Sequence, residues 1–386
     1  MINYPLSDDT WGQEEIDAIN RVIESKRFTM GEKTKEFEKY FASFFGSKYA
    51  VMVNSGSSAN LIAIAALIYS GKLKKGDEVI VPAISWSTTY FPLYQYGLKL
   101  KFIDINIKTL NMETQQLESA IGPRTRAIFA VNLLGNPNDY TKILSLCDKY
   151  DLILIEDNCE AMGAKYGNKY AGTFGKISTF SMFYSHHICT MEGGVAVTDD
   201  EELWQFMLPL RAHGWTRDLP KSSTIYQKSE NEFYESYNFI LPGYNLRPLE
   251  IEAATGIEQL RKLDKILSVR RENARCFRNL FANNADIEIQ EEIGLSSWFG
   301  FSLILKNRLK NKRDLVVEKL AQNGIETRPI VAGNFVRNEC IKFFNYELNG
   351  PLINADYVHE NGFFIGNHSS NIEGKIEYLY DIMNNT

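Results

Sequence analysis

The feature that most constrains the fold is an alternation: from about residue 50 to 200, short apolar runs of strand character alternate with helical patterns. Such alternation favours a parallel or mixed sheet covered by helices. Strands are expected at 50–53, 78–81, 101–105, 127–131, 152–156, 178–183 and 195–198. Several of these runs are continuously apolar, as strands buried on both faces must be. Further along, the pattern predicts a long helix over 249–276 with a break near Leu263-Asp264, an apolar stretch at 298–305, and a helix over 312–323. The chain thus reads as α/β, with a mostly parallel seven-stranded sheet in a large domain (1–261) and a smaller C-terminal α+β domain (262–386), against which the first 25 or so residues can pack.

Charge and cysteine usage narrow the function classes. The net charge is −6 with acidic and basic residues interspersed, so neither nucleic acid nor a membrane surface is expected as a partner, and an anionic ligand must meet local positive groups. The stretch Met1-Ile2-Asn3-Tyr4-Pro5 has no basic segment followed by an apolar run, and the longest apolar stretch, 61–69, is too short to span a bilayer. A cytoplasmic location is expected. Cys147, Cys159, Cys189, Cys276 and Cys340 form no C-x-x-C pair and no zinc-like spacing with the histidines. Free thiols are expected, with no metal and no iron–sulfur cluster.

Three segments carry candidate chemistry. In Val53-Asn54-Ser55-Gly56-Ser57-Ser58-Ala59-Asn60, a strand passes through a small-residue turn into a helix expected from Leu61. The N–H groups and partial positive charge of a helix N-terminus suit a phosphate at Gly56 and Ser57. Helix capping by Ser57 accounts for the same residues, and neither the Walker pattern nor G-x-G-x-x-G is present. In Ile153-Leu154-Ile155-Glu156-Asp157-Asn158-Cys159-Glu160, a buried strand delivers Asp157 and Glu160 to its C-terminal end, where open α/β sheets bind ligands. A carboxylate there can hold a pyridinium proton, or simply close a turn. In Ser181-Met182-Phe183-Tyr184-Ser185-His186-His187, a strand leads toward Gly193-Gly194. Adjacent histidines on an extended chain point apart, so they are poorly placed to chelate one metal. Histidine titrates near neutrality, which suits acid–base work, although a polar loop is the plainer account.

In this order and spacing the segments resemble the sugar aminotransferases of the DegT/DnrJ/EryC1/StrS family, and the resemblance covers nearly the whole chain. It implies the PLP-dependent transferase fold type I. In that family a lysine forms the imine with the cofactor seven residues before the first glycine of a Gly-Gly pair, and counting back seven from Gly193 lands on His186. Imidazole forms no stable imine, so pyridoxamine 5'-phosphate would be free in the site.

The stretches Ser85-Trp86-Ser87-Thr88-Thr89-Tyr90, Asn132-Leu133-Leu134-Gly135-Asn136, Arg211-Ala212-His213-Gly214-Trp215-Thr216-Arg217 and Gly243-Tyr244-Asn245-Leu246-Arg247-Pro248 are similar to those of the family's sugar 3-dehydratases, in which histidine is the working base. What this implies is removal of the C3 hydroxyl from a nucleotide-linked 4-keto-6-deoxy sugar. L-glutamate would convert pyridoxal 5'-phosphate back to the pyridoxamine form. The pathway implied is deoxysugar biosynthesis for O-antigen. A nucleotide-sugar aminotransferase working without lysine, or a non-catalytic member, remains an alternative.

The residues follow by resemblance. Gly56, Ser57 and Ser181 would hold the phosphate, Trp86 the ring face, Asp157 the ring nitrogen with Glu160 nearby, and His186 would be catalytic. Members are homodimers with shared active sites, and Asn245 would reach the partner's phosphate. Tyr184, Ser185, His187 and His213 are placed at the sugar pocket. Arg217 and Arg247 would offset the diphosphate or a glutamate carboxylate, or lie on the surface.

Overall fold

The computed structural model describes residues 3–386, so Met1 and Ile2 of the N-terminal stretch lie outside the described residues. Seven strands build the central sheet: β1 (Tyr49–Val53), β2 (Glu78–Pro82), β3 (Lys99–Ile103), β4 (Thr125–Val131), β5 (Ile153–Asp157), β6 (Ile177–Ser181) and β7 (Gly194–Thr198). Their spatial order is β1-β7-β6-β5-β4-β2-β3. Only β7 runs against the others, pairing antiparallel with both β1 and β6. The architecture is α/β with a mostly parallel sheet.

An eighth strand corrects the seven-stranded reading. Tyr346–Leu348 adds parallel to β3 at the sheet edge. It is three residues long and exposed throughout, so it offers no apolar run to read. Main-chain pairing holds it, with the Lys99 Nζ to Glu347 ion pair at 2.5 Å in support.

The helix Gly56–Tyr69 is apolar nearly all round and lies buried between the sheet and neighbouring helices. A second helix, Glu250–Phe281, is continuous over 32 residues, and the break expected near Leu263-Asp264 does not occur. Leu263 faces the core and Asp264 faces solvent, which fits the helical period, and a solvent-facing aspartate costs a helix only a fraction of a kcal/mol. At its start, the Glu250 carboxylate accepts the N–H groups of Gly31, Lys33 and Thr34 and so caps the helix Glu32–Phe45.

This long helix links two cores. Ala253 to Leu267 pack beneath the central sheet, whereas Phe277 and Phe281 pack on Phe301, Leu303 and Ile365 of a second, three-stranded antiparallel sheet. The expected boundary at 261/262 falls inside the helix. The chain then returns to the first core, where Ile330, Phe335, Leu352, Ala355 and Val358 are buried. The N-terminal segment does two things. Tyr4 is buried in the second core and its hydroxyl donates to the Gly366 carbonyl. The helix Gln13–Ser25 packs through Ala18 and Val22 on Ala254. The five cysteines are unpaired. Among the described residues no helix is long and apolar enough to cross a membrane.

The C-terminal ends of β5 and β6 meet the start of the helix Gly56–Tyr69, and β7 presses on the same turn. A Cβ built on Gly194 would stand 2.1 Å from the Ser55 carbonyl oxygen, so only glycine allows this approach. Gly194→Ala is therefore expected to destabilise the protein by about 1–3 kcal/mol through overpacking. Gly374→Ala, in open space, is expected to be neutral. The two thermal midpoints check this, and equal midpoints would refute the contact.

Candidate active site

The turn that follows β1 is built by capping. Ser55 is the N-cap: its Oγ accepts the Ser58 N–H at 3.1 Å, and the helix begins at Gly56, five residues before the expected start. The capping role weighed for Ser57 thus belongs to Ser55. Ser57 stands in the first turn, where its hydroxyl donates to Thr88 Oγ1 at 3.1 Å. Amides of a first helical turn have no carbonyl ahead of them to bond. Opposite lies Ser181, at the end of β6. A Cβ on Gly56 would come within 2.6 Å of the Ser181 Cβ, so glycine lets the helix start and the end of β6 approach closely, with the Ser181 hydroxyl beside the first-turn amides, where an anion can bind.

Consecutive carboxylates at the end of β5 point to opposite faces. Glu156 faces the loop side, where it accepts from the Tyr140 hydroxyl, the Gly172 amide at 2.7 Å and the Ser178 hydroxyl at 3.1 Å. Asp157 faces the ligand side. Its Oδ2 accepts from Thr89 Oγ1 at 2.7 Å and Asn60 Nδ2 at 2.9 Å, and its Oδ1 from the Cys159 amide at 3.2 Å. None of these donors carries a charge, so a cationic N–H of a ligand would be the ion-pair partner. Glu160 accepts the Leu134 amide at 2.9 Å. Burial, aided by the Asp157 charge and opposed by that amide, pushes its carboxyl up to about 7.

The His-His loop separates its two rings. The His186 amide donates to the Phe183 carbonyl at 2.9 Å, and its ring meets Phe299 edge-on at a centroid distance of 5.1 Å. Its Nδ1 is buried without a hydrogen-bond partner. Burial, and then the guanidinium of Arg270, lower its pKa to about 4, so the imidazole is neutral at physiological pH. Arg270 is itself 1% exposed and donates to the carbonyls of Trp298 and Phe299 at 3.4 and 3.2 Å. His187 turns the other way, with Nε2 placed 3.2 Å from the Ser297 carbonyl.

These groups line one cavity of about 750 Å³, a size that suits a small organic ligand. Gly56, Ser57, Trp86, Asp157, Glu160, Ser181, Tyr184, Ser185 and His186 all border it. Trp86 is 57% exposed, at the start of the helix Ser87–Gln95. The cavity does not include His187, which is wholly buried, nor Asn245, His213, Arg217 and Arg247. Those four gather around Trp215. The guanidinium groups of Arg217 and Arg247 lie 4.6 and 5.7 Å from its ring centroid, the His213 ring 4.8 Å away, and Asn245 Oδ1 accepts from Arg247 Nε.

Sequence reasoning missed Asn60 and Thr89, the anchors of Asp157, and also Phe299, Arg328 and Phe364 on the far wall. Asn60 left a signal, a lone amide inside an apolar helix. The far-wall residues left none, because nothing local in their segments distinguishes a cavity wall from a core.

A family model described as the DegT/DnrJ/EryC1/StrS aminotransferase family matches residues 9–383. The chain is 54% identical to GDP-4-keto-6-deoxy-D-mannose 3-dehydratase of Yersinia pseudotuberculosis, over 99% of this chain and 98% of that protein. A crystal structure of a GDP-4-keto-6-deoxymannose-3-dehydratase mutant with bound GDP-perosamine superposes with a TM-score of 0.97, at 53% identity, covering 99% of this chain and 100% of that one. A structure of GDP-4-keto-6-deoxymannose-3-dehydratase with a trapped PLP-glutamate geminal diamine also gives 0.97, at 53% identity, covering 98% and 100%.

The neutral imidazole carries a pH signature. Between its unfolded value near 6.5 and about 4, residue 186 takes up a proton on unfolding, so its presence lowers stability as the pH falls through that window. His186→Asn escapes this loss. Relative to the parent, its thermal midpoint is expected to rise between pH 7.5 and pH 5, by the equivalent of roughly 1–2 kcal/mol. A pH-independent difference would mean that His186 takes up its proton at the same pH in the folded and unfolded protein.

Proposed function

This chain belongs to the DegT/DnrJ/EryC1/StrS aminotransferase family, and we propose that it is a lyase of that family, a pyridoxal-phosphate-dependent GDP-4-keto-6-deoxy-D-mannose 3-dehydratase. One observation carries the reading beyond the family. His186 stands where the family lysine would stand, seven residues before Gly193, in a cavity that otherwise keeps Asp157, Ser181 and the Gly56-Ser57 turn.

The cavity fits the cofactor. The first-turn amides at Gly56 and Ser57 take the phosphate, beside the hydroxyls of Ser57 and Ser181. Asp157, bonded only to neutral donors, takes the ring N–H, while Trp86 covers a ring face and Glu160 lies alongside. Pyridoxamine 5'-phosphate, when bound, supplies an amine for the sugar's C4 ketone and a protonated ring that withdraws electrons. Asp157 keeps that ring proton in place. The neutral imidazole of His186 is positioned to take a proton from the cofactor carbon next to the ring and then deliver it to the C3 hydroxyl as that group leaves. Phe299 and Phe183 pack against the imidazole and fix its plane. Histidine has no amine with which to recapture the cofactor, and it withholds the proton at sugar C4 that would complete a transamination. In sum the sugar exchanges C3–OH for C3–H, L-glutamate becomes 2-oxoglutarate, and ammonia is released.

A homodimer with shared sites completes this reading. Asn245, His213, Arg217 and Arg247 lie outside the chain's own cavity, on a face where Phe233, Tyr237 and Phe239 are 89%, 70% and 51% exposed. Exposed aromatics grouped in this way mark an interface. In the partner's site, Asn245 would reach the phosphate, and the arginines would meet the sugar diphosphate. The reaction belongs to 3,6-dideoxysugar formation of the colitose type and takes place in the cytoplasm, where nucleotide sugars and glutamate are available.

Incubation with GDP-4-keto-6-deoxymannose, pyridoxal phosphate and glutamate is expected to release ammonia and a product lighter by one oxygen. A 4-amino sugar retaining its C3 oxygen would make the chain an aminotransferase instead. His186→Asn is expected to lower turnover by about a thousandfold or more while still binding cofactor, and full activity in that variant would remove the base assignment.

A further inference from the structure

One residue of the cavity wall is strained. Val331 has a φ of 50°, in the left-handed region that glycine enters freely and a β-branched side chain enters only against its own Cβ. Among the described residues it is the one β-branched side chain with such a backbone, and the one cavity-lining residue that has it. The fold holds it there from both sides. Ile330 is buried in the first core, and the Gly333 amide closes the turn by donating to the Ile330 carbonyl at 2.8 Å. Asn334 then pairs with Ile84, and the Phe335 amide donates to the Ala83 carbonyl at 2.9 Å, which ties the turn to the segment between β2 and Trp86. Between these anchors the Val331 side chain stands half-buried in the cavity lining. Strain of this kind persists where the surroundings over-determine it, and it gathers at ligand sites.

The place of Val331 along the wall gives the strain a use. From His186 the wall runs to Phe299, at a ring distance of 5.1 Å, and on to Phe364, a further 6.3 Å away. The Phe364 main chain pairs with Arg328, and Val331 follows, its turn backing on Ser85 and Trp86. Val331 thus lies at the end away from His186. Resting on the dehydratase reading, C4 is the reacting carbon of the sugar, and its neighbour C3 must turn its hydroxyl to His186. The other neighbour, C5, carries the C6 methyl and so faces the opposite end. Polar groups at that end are engaged elsewhere. Ser85 Oγ and Thr89 Oγ1 share a hydrogen bond at 2.7 Å. Asn334 donates to Asp356 at 2.9 Å and accepts the Val336 amide at 3.1 Å, and the exposed Arg328 turns Nη1 to the Thr327 carbonyl at 3.0 Å. A methyl group needs no partner there, whereas a C6 hydroxyl would leave water and gain no hydrogen bond in return. We propose that Val331, held in its left-handed backbone, packs on the C6 methyl of the sugar and is a specificity-determining residue that selects 6-deoxy sugars over their 6-hydroxy counterparts.

GDP-6-deoxymannose and GDP-mannose, which differ only in the C6 hydroxyl and have no ketone at C4, isolate the contact from the chemistry. Titration calorimetry on the enzyme loaded with pyridoxal phosphate would compare the parent with Val331→Thr, which keeps the β-branch and replaces one methyl by a hydroxyl, and with Val331→Gly, which removes both side chain and strain. The parent is expected to bind the 6-deoxy ligand about tenfold or more tighter than the 6-hydroxy one, a ratio of the size an apolar pocket can give. In both variants the ratio is expected to fall to about threefold or less. In the kinetic arm, kcat/KM for a single turnover of GDP-4-keto-6-deoxymannose by enzyme loaded with pyridoxamine phosphate is expected to fall about tenfold in Val331→Thr. Conversion of bound pyridoxal phosphate to pyridoxamine phosphate by glutamate, which brings no methyl to this end, should stay within about twofold of the parent. A ratio near one in the parent overturns the inference, as does a ratio unchanged in both variants or an equal loss of glutamate turnover in Val331→Thr. If the parent, loaded with pyridoxamine phosphate, fails to deoxygenate the sugar while the C6 ratio still depends on residue 331, the dehydratase reading falls and the methyl contact stands.

Discussion

The Asp157 carboxylate is gripped by two helices and its own loop. Asn60 donates from the helix Gly56–Tyr69, Thr89 from the helix Ser87–Gln95, and the Cys159 amide from the turn that follows β5. A buried carboxylate must have its lone pairs filled, because an unsatisfied one costs several kcal/mol. The requirement works in both directions. It fixes Asp157 at the cavity face, and it fixes the relative positions of the two helices that carry the Gly56-Ser57 turn and Trp86. Asn60 is itself locked, since its Oδ1 accepts from Thr179 Oγ1 on β6 at 2.6 Å. One hydrogen-bonded cluster thus ties together β5, β6 and both helix starts, and the distance between Asp157 and the Gly56-Ser57 turn is set by rigid elements rather than by loops.

The second half of the site depends on close approach rather than on polar contacts. Gly194 and Gly56 let β7 and β6 press on the Ser55-Gly56-Ser57 turn, and the loop between those strands carries His186 to the cavity wall. The imidazole then lies against Phe299, which comes from the other side of the long helix and is held there by the carbonyl contacts of Arg270. Arg270 therefore has two effects. It clamps the backbone of Trp298 and Phe299, and its charge disfavours a proton on His186. A base must be unprotonated before the reaction begins, and a buried guanidinium with no acid partner is a permanent way to keep it so.

How much of this was legible in the sequence follows from the range of the signals. The seven core strands were legible because burial on both faces leaves continuous apolar runs, and the ligand end of β5 because Glu156 and Asp157 interrupt such a run. The eighth strand was illegible: Tyr346–Leu348 is exposed and polar, and only its neighbour β3 makes it a strand. The break expected at Leu263-Asp264 was a misreading of composition, since the aspartate points to solvent on an unbroken helix. Ser57 and Ser55 are two residues apart and both are good capping residues, so the cap could be placed only once the helix start was known. The position of His186 was legible through its spacing to Gly193, whereas its neutral state was not, because Arg270 and Phe299 are far away in sequence.

The same limit explains why the site looks incomplete within one chain. Carboxylates outnumber permanent cations along the cavity wall, yet the proposed reaction brings in a phosphate, a diphosphate and a dicarboxylic acid. The helix-start amides are the proposed seat of the phosphate, and Arg328 is the one permanent cation among the described residues of the wall. The remaining cations of the constellation, Arg217 and Arg247, are bound over Trp215 on a face whose aromatic residues are turned to solvent. A surface that exposes Phe233 and Tyr237 beside two arginines without carboxylate partners is poorly suited to water and well suited to burial against another protein surface. If that surface is a second copy of this chain, apolar burial and charge complementarity are satisfied by one contact, and each cavity gains the positive charge it lacks. The imbalance of charge inside the cavity and the exposed aromatics outside it then have one explanation, and in the proposed homodimer the subunit contact and the binding of the sugar nucleotide are coupled rather than separate.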